Sequence, residues 1–159
     1  MFRLPLAIRV CAVLALMTAF ANLLPLHIAR AAVCTVTNTV TNNADSGIGS
    51  LRDAITFANT SSCVSTIDFA ITGSPPVLII VLGSALPQIT SAVLIDGDTQ
   101  PGLIIDGASS FRPLDITVGG VTLRGLIFQN GFDASRNGGG AVYAELPAGA
   151  VLTIAHCLF

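Results

Sequence analysis

From Cys34 onward the apolar positions fall in short runs of β-branched and aliphatic residues, separated by Gly, Asp, Asn and Pro. Cys34-Thr-Val-Thr-Asn-Thr-Val-Thr-Asn42 has the composition of a strand. Asn42-Asn-Ala-Asp-Ser-Gly-Ile-Gly49 has that of a turn. The period then changes. Leu51, Ala54, Ile55 and Ala58 recur at helical spacing and predict one face of a short amphipathic helix that ends over Asn59 to Ser62. Ser50 and Asp53 form its capping box: Ser50 is placed to accept from the Asp53 amide, and the Asp53 carboxylate to reach back to the Ser50 amide. Beyond Cys63 only short apolar strands follow, Thr66 to Phe69 first and Val77 to Leu82 next. The second of these is too short to span a bilayer.

Some of the later runs repeat. Val93-Leu-Ile-Asp-Gly97 is similar to Leu103-Ile-Ile-Asp-Gly107, and Val121 to Phe128 is similar to Leu152 to Phe159. Val93 and Val121 are 28 positions apart, and Val121 and Leu152 are 31 apart. Both spacings suit one coil of a solenoid, with loops such as Asp133 to Gly140 and Pro147 to Gly149 absorbing the difference. Chance likeness among the strands of a β-sandwich is the competing reading, with the solenoid ahead.

The first residues change the picture of where this fold resides. Arg3 and Arg9 precede an apolar run from Val10 to Leu24, and Ala29-Arg30-Ala31 supplies a small-residue cleavage pattern. Residues 1–31 are therefore expected to be a signal peptide cut after Ala31, with Ala32 as second choice and a retained anchor as the alternative. A lipid anchor on Cys34 is disfavoured because Val33 precedes it where a small residue is needed. Removal of 31 residues from 159 leaves 128, enough for one domain.

That remainder holds four arginines, no lysine and nine acidic residues, a net charge of −5. Nucleic acid and anionic lipid are therefore not expected partners. Hydrophobic residues make up 52% of the chain and charged residues 10%, a balance that suits a solenoid with a continuous apolar interior. Three cysteines remain after the leader. Cys34 and Cys63 bracket the first segment and are the natural disulfide pair in an exported protein, which leaves Cys157 over. No two cysteines have close metal-ligand spacing, so a disulfide is preferred to zinc.

The order Ala44-Asp-Ser-Gly-Ile-Gly-Ser-Leu-Arg-Asp-Ala-Ile55, then Ala58-Asn59, then Thr66-Ile-Asp-Phe69 resembles the start of bacterial CSLREA-motif β-helix surface proteins. Ala85-Leu-Pro-Gln-Ile-Thr90, Leu94-Ile-Asp-Gly97, Thr99-Gln-Pro-Gly102 and Leu123-Arg-Gly-Leu126 extend the likeness over residues 34–159. Two positions depart from the pattern: Gly49 stands where the motif has cysteine and Asp53 where it has glutamate. The resemblance implies an all-β, right-handed parallel β-helix whose N-terminal mouth is covered by a strand and a short helix. The expected organisation is a signal peptide (1–31), an N-terminal cap (32–65) and β-helix coils (66–159). The missing motif cysteine suggests that Cys34 and Cys63 staple the cap instead.

Candidate chemistry is sparse, and no catalytic residue, cofactor or metal is expected. Asp96 and Asp106, with Asp98 and Asp115 as companions, are the best carboxylates for a sugar-cleaving enzyme if their strands are neighbours. Each of the first two precedes glycine, which favours turn capping over catalysis. His156 and Cys157 adjoin in what reads as the last strand. Side chains there face opposite ways, so a nucleophile pair is disfavoured: Cys157 is expected to fill core and His156 to face outward. Asn137-Gly-Gly-Gly140 lacks the Lys-Ser/Thr of a phosphate loop and reads as a flexible corner.

Two classes of function stand. The favoured one is a secreted or cell-surface structural or adhesive module whose partners are extracellular glycans or surface proteins. The alternative is the N-terminal part of a polysaccharide lyase or glycoside hydrolase. The last residues, Leu152 to Phe159, look like an interior strand, so the chain is expected to be a fragment that self-associates through an uncapped C-terminal coil.

Overall fold

Alternation of one apolar and one polar side chain over three to six residues is what the strands of this chain share. Parallel pairing is how they satisfy their backbones. The computed structural model describes residues 34–72, 78–134 and 138–159. The expected signal peptide and its cleavage site lie outside the described residues.

The first strand, β1, is Thr35–Val40, followed by a turn and the helix α1, Leu51–Thr60. The remaining strands are β2 (Val64–Phe69), β3 (Ile79–Val81), β4 (Val93–Asp96), β5 (Ile104–Asp106), β6 (Leu114–Ile116), β7 (Val121–Arg124), β8 (Ile127–Gln129), β9 (Val142–Ala144) and β10 (Leu152–Ala155). A 3₁₀ turn at Gly97–Thr99 follows β4. The protein is thus all-β with one helix among the described residues.

The strands form three parallel sheets. The first has the order β1-β2-β4-β7-β10, the second β3-β5-β8, and the third holds β6 and β9. Isolated parallel bridges add Leu158 beside Ile127 in the second sheet and Ile89 beside Ile116 in the third. From β2 the chain visits the first, second and third sheets in turn, returns to the first at β4, and repeats that order from β4 and from β7.

Register carries the repeats seen in the sequence. Leu94 pairs with Thr122 and Ile95 with Leu123, in line with the 28-residue spacing. Leu152 pairs with Val121, in line with the spacing of 31. Because register is kept, side chains of one type stack. Ile67, Ile95 and Leu123 form one inward column on the first sheet, each fully buried. Ile80, Ile105 and Phe128 form another on the second. Each such side chain contributes roughly 1.5–3 kcal/mol by leaving water, and a slip of one residue would turn a whole column outward.

The helix packs against β1 and β2. Leu51, Ala54, Ile55 and Ala58 are its buried residues and belong to the same core as Val40, Ile67 and Phe69. Cys34 and Cys63 are joined in a disulfide, which ties the start of β1 to the residue before β2. β2 spans residue 65, so the expected cap boundary cuts through a strand. Among the described residues no helix is long and apolar enough to cross a membrane.

Candidate functional site

The carboxylates with the best claim to chemistry sit where strands end. β4 stops at Asp96 because Gly97 begins a tight turn. Asp96 Oδ1 accepts from the Asp98 amide at 3.2 Å, while the Thr99 hydroxyl donates to the Asp96 carbonyl at 2.7 Å. The turn also holds the end of β2 and the residues after it. The Phe69 amide donates to Thr99 Oγ1 at 2.9 Å, and the Gln100 side chain bonds both the amide and the carbonyl of Ile71, each at 2.9 Å.

One strand further, Arg124 shares a register position with Asp96. Its guanidinium lies 3.5 Å from Asp96 Oδ2 and 3.3 Å from Asp98 Oδ2, and His156 Nδ1 approaches the same Asp98 oxygen at 3.5 Å. Every member except Asp96 is more than a third exposed. The ion pairs are therefore solvent-screened and contribute at most about 1 kcal/mol each.

Asp106 stands apart. Asp96 ends a strand of the first sheet and Asp106 one of the second, so the two are not on neighbouring strands. This corrects the condition under which they would act as a carboxylate pair. The physical reason is that the two similar Ile-Asp-Gly segments end consecutive strands that belong to different sheets rather than paired neighbours in one sheet. Asp106 Oδ1 accepts from the Ala108 amide at 2.7 Å, and its carboxylate also receives the Gln129 amide group at 2.8 Å and the Asn130 amide group at 3.1 Å. The Ala108 amide does most to hold the Asp106 carboxyl below the ordinary value of 3.8. Burial opposes this, and the bonds from Gln129 and Asn130 add to it. A carboxylate held ionised by three donors is a poor general acid and serves as a turn cap.

The helix cap differs from expectation in one bond. Ser50 Oγ accepts from the Asp53 amide at 3.2 Å. The Asp53 carboxylate bonds the Gly49 amide at 3.1 Å, not that of Ser50, whose amide donates to the Gly47 carbonyl at 3.2 Å. The turn over Gly47 to Ser50 has already used the Ser50 donor, so the carboxylate takes the next one upstream.

His156 is likewise not in a strand. β10 ends at Ala155, and His156 occupies the corner with φ 55° and an exposed side chain. Cys157 beyond it is half-buried against the core. The glycine-rich corner has a definite bonding role. The carbonyls of Gly139 and Gly138 accept from Arg112 Nε and Nη2 at 2.8 and 3.0 Å, while Asn137 lies outside the described residues.

Sequence reasoning missed this last cluster. Arg112 also pairs with Asp133 and lies 4.6 Å over the Tyr143 ring. These residues are far apart in the chain and follow no motif. A lone Arg among so few cations was the available signal. Among the described residues, no group of three or more His, Cys, Asp and Glu is arranged to hold a metal ion. No protein-family model, no curated protein and no solved structure matches this chain.

Proposed function

We propose that this chain is an exported, right-handed parallel β-helix module with a structural or adhesive role, secreted or held at the cell surface, as in the CSLREA-motif proteins that its sequence resembles. The observation that carries the reading is the repeated visit to three parallel sheets in one order, with apolar columns in register. A path of that kind gives long lateral faces and little enclosed space, which suits contact with extended partners. The strand and helix over Val40, Leu51 and Ile55 act as the N-terminal cap in this reading.

The enzymatic alternative draws less support. Its two leading carboxylates are separated onto different sheets, and each caps its own turn.

Expression with a C-terminal tag in a bacterial host, followed by fractionation and N-terminal sequencing, tests export. The exported product should begin at Ala32 or Val33. Cells displaying it should adhere to glycan- or protein-coated surfaces better than cells without it. An intact Met1 in the cytoplasm, or turnover of pectate or alginate that disappears in Asp96→Ala or Asp106→Ala, would overturn the reading.

A further inference from the structure

β1 and β2 have the same length, six residues each, but not the same hold on the core. β2 buries Ser65, Ile67 and Phe69, whereas β1 buries Val40 alone and leaves Thr35, Thr37 and Thr39 exposed. The inward face of β1 also carries a polar residue, because Asn38 shares a register position with fully buried Ile67. An amide side chain at that position gains little by leaving water. Among the described residues β1 pairs on one side only, with β2. A strand with few buried apolar groups and one partner is the kind of element that opens before the rest of a fold.

Its two ends are held differently. At Val40 the buried side chain shares the core with Leu51 and Ile55. There the Ala70 amide donates to the Val40 carbonyl at 2.9 Å, and the Thr41 amide donates to the Gly49 carbonyl at 2.9 Å. At the other end the Val64 amide donates to the Cys34 carbonyl at 3.1 Å, and the Val64 side chain is 42% exposed. The covalent hold at that end is the Cys34–Cys63 disulfide. Cys34 is exposed and Cys63 is half-buried, which puts the bridge within reach of a thiol from solvent. Exposed disulfides are the ones that act as reversible, regulatory ties.

We infer that the Cys34–Cys63 bridge is a redox latch on β1. Oxidised, it pins the strand to β2. Reduced, it lets the stretch from Cys34 to Asn38 leave β2, while Val40 and the turn behind it stay in place. The reductant is a dithiol. One of its thiolates attacks Cys34 Sγ, the bond to Cys63 breaks, and the Cys63 thiolate takes up a proton. The second sulfur of the dithiol, having given up its proton, then displaces Cys34 as a thiol and closes the reductant into a disulfide. Release uncovers the edge of β2 from Val64 onward, with its backbone groups unpaired. The inference goes beyond the adhesive reading and does not rest on it.

The test follows hydrogen exchange of single amides by proton–nitrogen NMR on the full chain, oxidised and after dithiothreitol without denaturant. Mass spectrometry of maleimide-treated protein should show Cys34 and Cys63 as thiols after that treatment, and paired again after removal of the reductant in air. The ratio of the Val64 exchange rate to the Ala70 rate should rise about tenfold or more on reduction. Using the ratio removes any loss of stability shared by the whole fold. Asn38→Val, which adds an apolar group to the inward face of β1, should bring the ratio in the reduced chain back toward its oxidised value. A bridge that resists dithiothreitol in the folded chain would overturn the latch. So would a ratio that stays constant because Val64 and Ala70 quicken together, a reduced chain that unfolds throughout, or a reduced Asn38→Val chain that frays as readily as its parent.

Discussion

Asp45 Oδ1 lies 2.7 Å from Arg52 Nη2, which joins the turn before α1 to the helix, and both side chains reach the segment that follows β3. Asp45 also receives the Gly83 amide at 2.9 Å and the Ser84 hydroxyl at 3.3 Å. Arg52 donates to the Ala85 and Ser84 carbonyls at 2.5 and 2.9 Å. An acidic residue in the turn before α1 and a basic residue on α1 thus fasten this part of the chain to the stretch after β3 by side chain–backbone bonds. Such bonds hold their geometry better than an isolated surface pair.

Acid should loosen that fastening first. Burial alone would raise the Asp45 carboxyl, but the Arg52 hydrogen bond, the Gly83 amide, the Arg52 charge and the Ser84 hydroxyl outweigh it and hold the group below its ordinary value of 3.8. A carboxyl lowered in the folded state adds stability above its unfolded value, near 4, and loses it as pH falls through the folded value. Urea unfolding at a series of pH values should show Asp45→Asn less stable than wild type at neutral pH, with the difference shrinking below about pH 4. A constant difference from neutral pH to pH 2 would mean that the pair does not act through its charge. Asp106 also titrates in this range, and the comparison of the two chains cancels it.

The disulfide should account for a larger share. It closes a loop with a sequence separation of 29 between Cys34 and Cys63. A loop of that size is worth roughly 3–4 kcal/mol in the chain-entropy picture. Cys34→Ser with Cys63→Ser should lower the denaturation midpoint accordingly, and a non-reduced digest of wild type should yield the linked peptides. Free thiols at both positions in the folded protein would contradict the connection.

One glycine should be far less replaceable than another of similar backbone angle. Gly125 (φ +60°) ends β7, and a Cβ there would meet the Asp98 side chain and backbone from the corner of the adjacent strand. Gly102 (φ +85°) has nothing within 4 Å of its Cβ direction. Gly102→Ala should cost about 1 kcal/mol, the strain of the angle alone, while Gly125→Ala should cost about 2 kcal/mol more. Equal midpoint shifts in chemical denaturation would mean that the two corners are not packed as closely as described.

Local order was legible from the residues. The helix face from Leu51 to Ala58 and the pairing of Val121 with Leu152 follow from spacing, because period and loop length constrain what can face the core, and the cysteine pair follows from its place on either side of the first segment. The position of Asp106 relative to Asp96 did not follow. Two segments with one pattern can be stacked neighbours or successive sides of the path, and the pattern is the same in both cases. His156 went the same way: the corner after Ala155 needs a positive φ, and no glycine marks it as Gly125 marks its counterpart. The cluster around Arg112 joins Asp133, Gly138, Gly139 and Tyr143, which no local window around Arg112 contains.

The account stands on the stacking of parallel strands in the order β1-β2-β4-β7-β10, and the distance between Thr37 and Thr153 tests it most directly. Thr37 pairs with Thr66, Thr66 with Leu94, Leu94 with Thr122 and Thr122 with Thr153, so four strand spacings separate the ends of the column. At about 4.8 Å each, that is roughly 19 Å between backbones. Spin labels on Thr37→Cys and Thr153→Cys, in a Cys157→Ser background with the Cys34–Cys63 disulfide intact, should give one narrow distribution near 20 Å by pulsed electron resonance. Moving the second label to Thr122 should shorten the distance by about one strand spacing. A broad distribution, or a distance that does not change with that move, would contradict the stacked order.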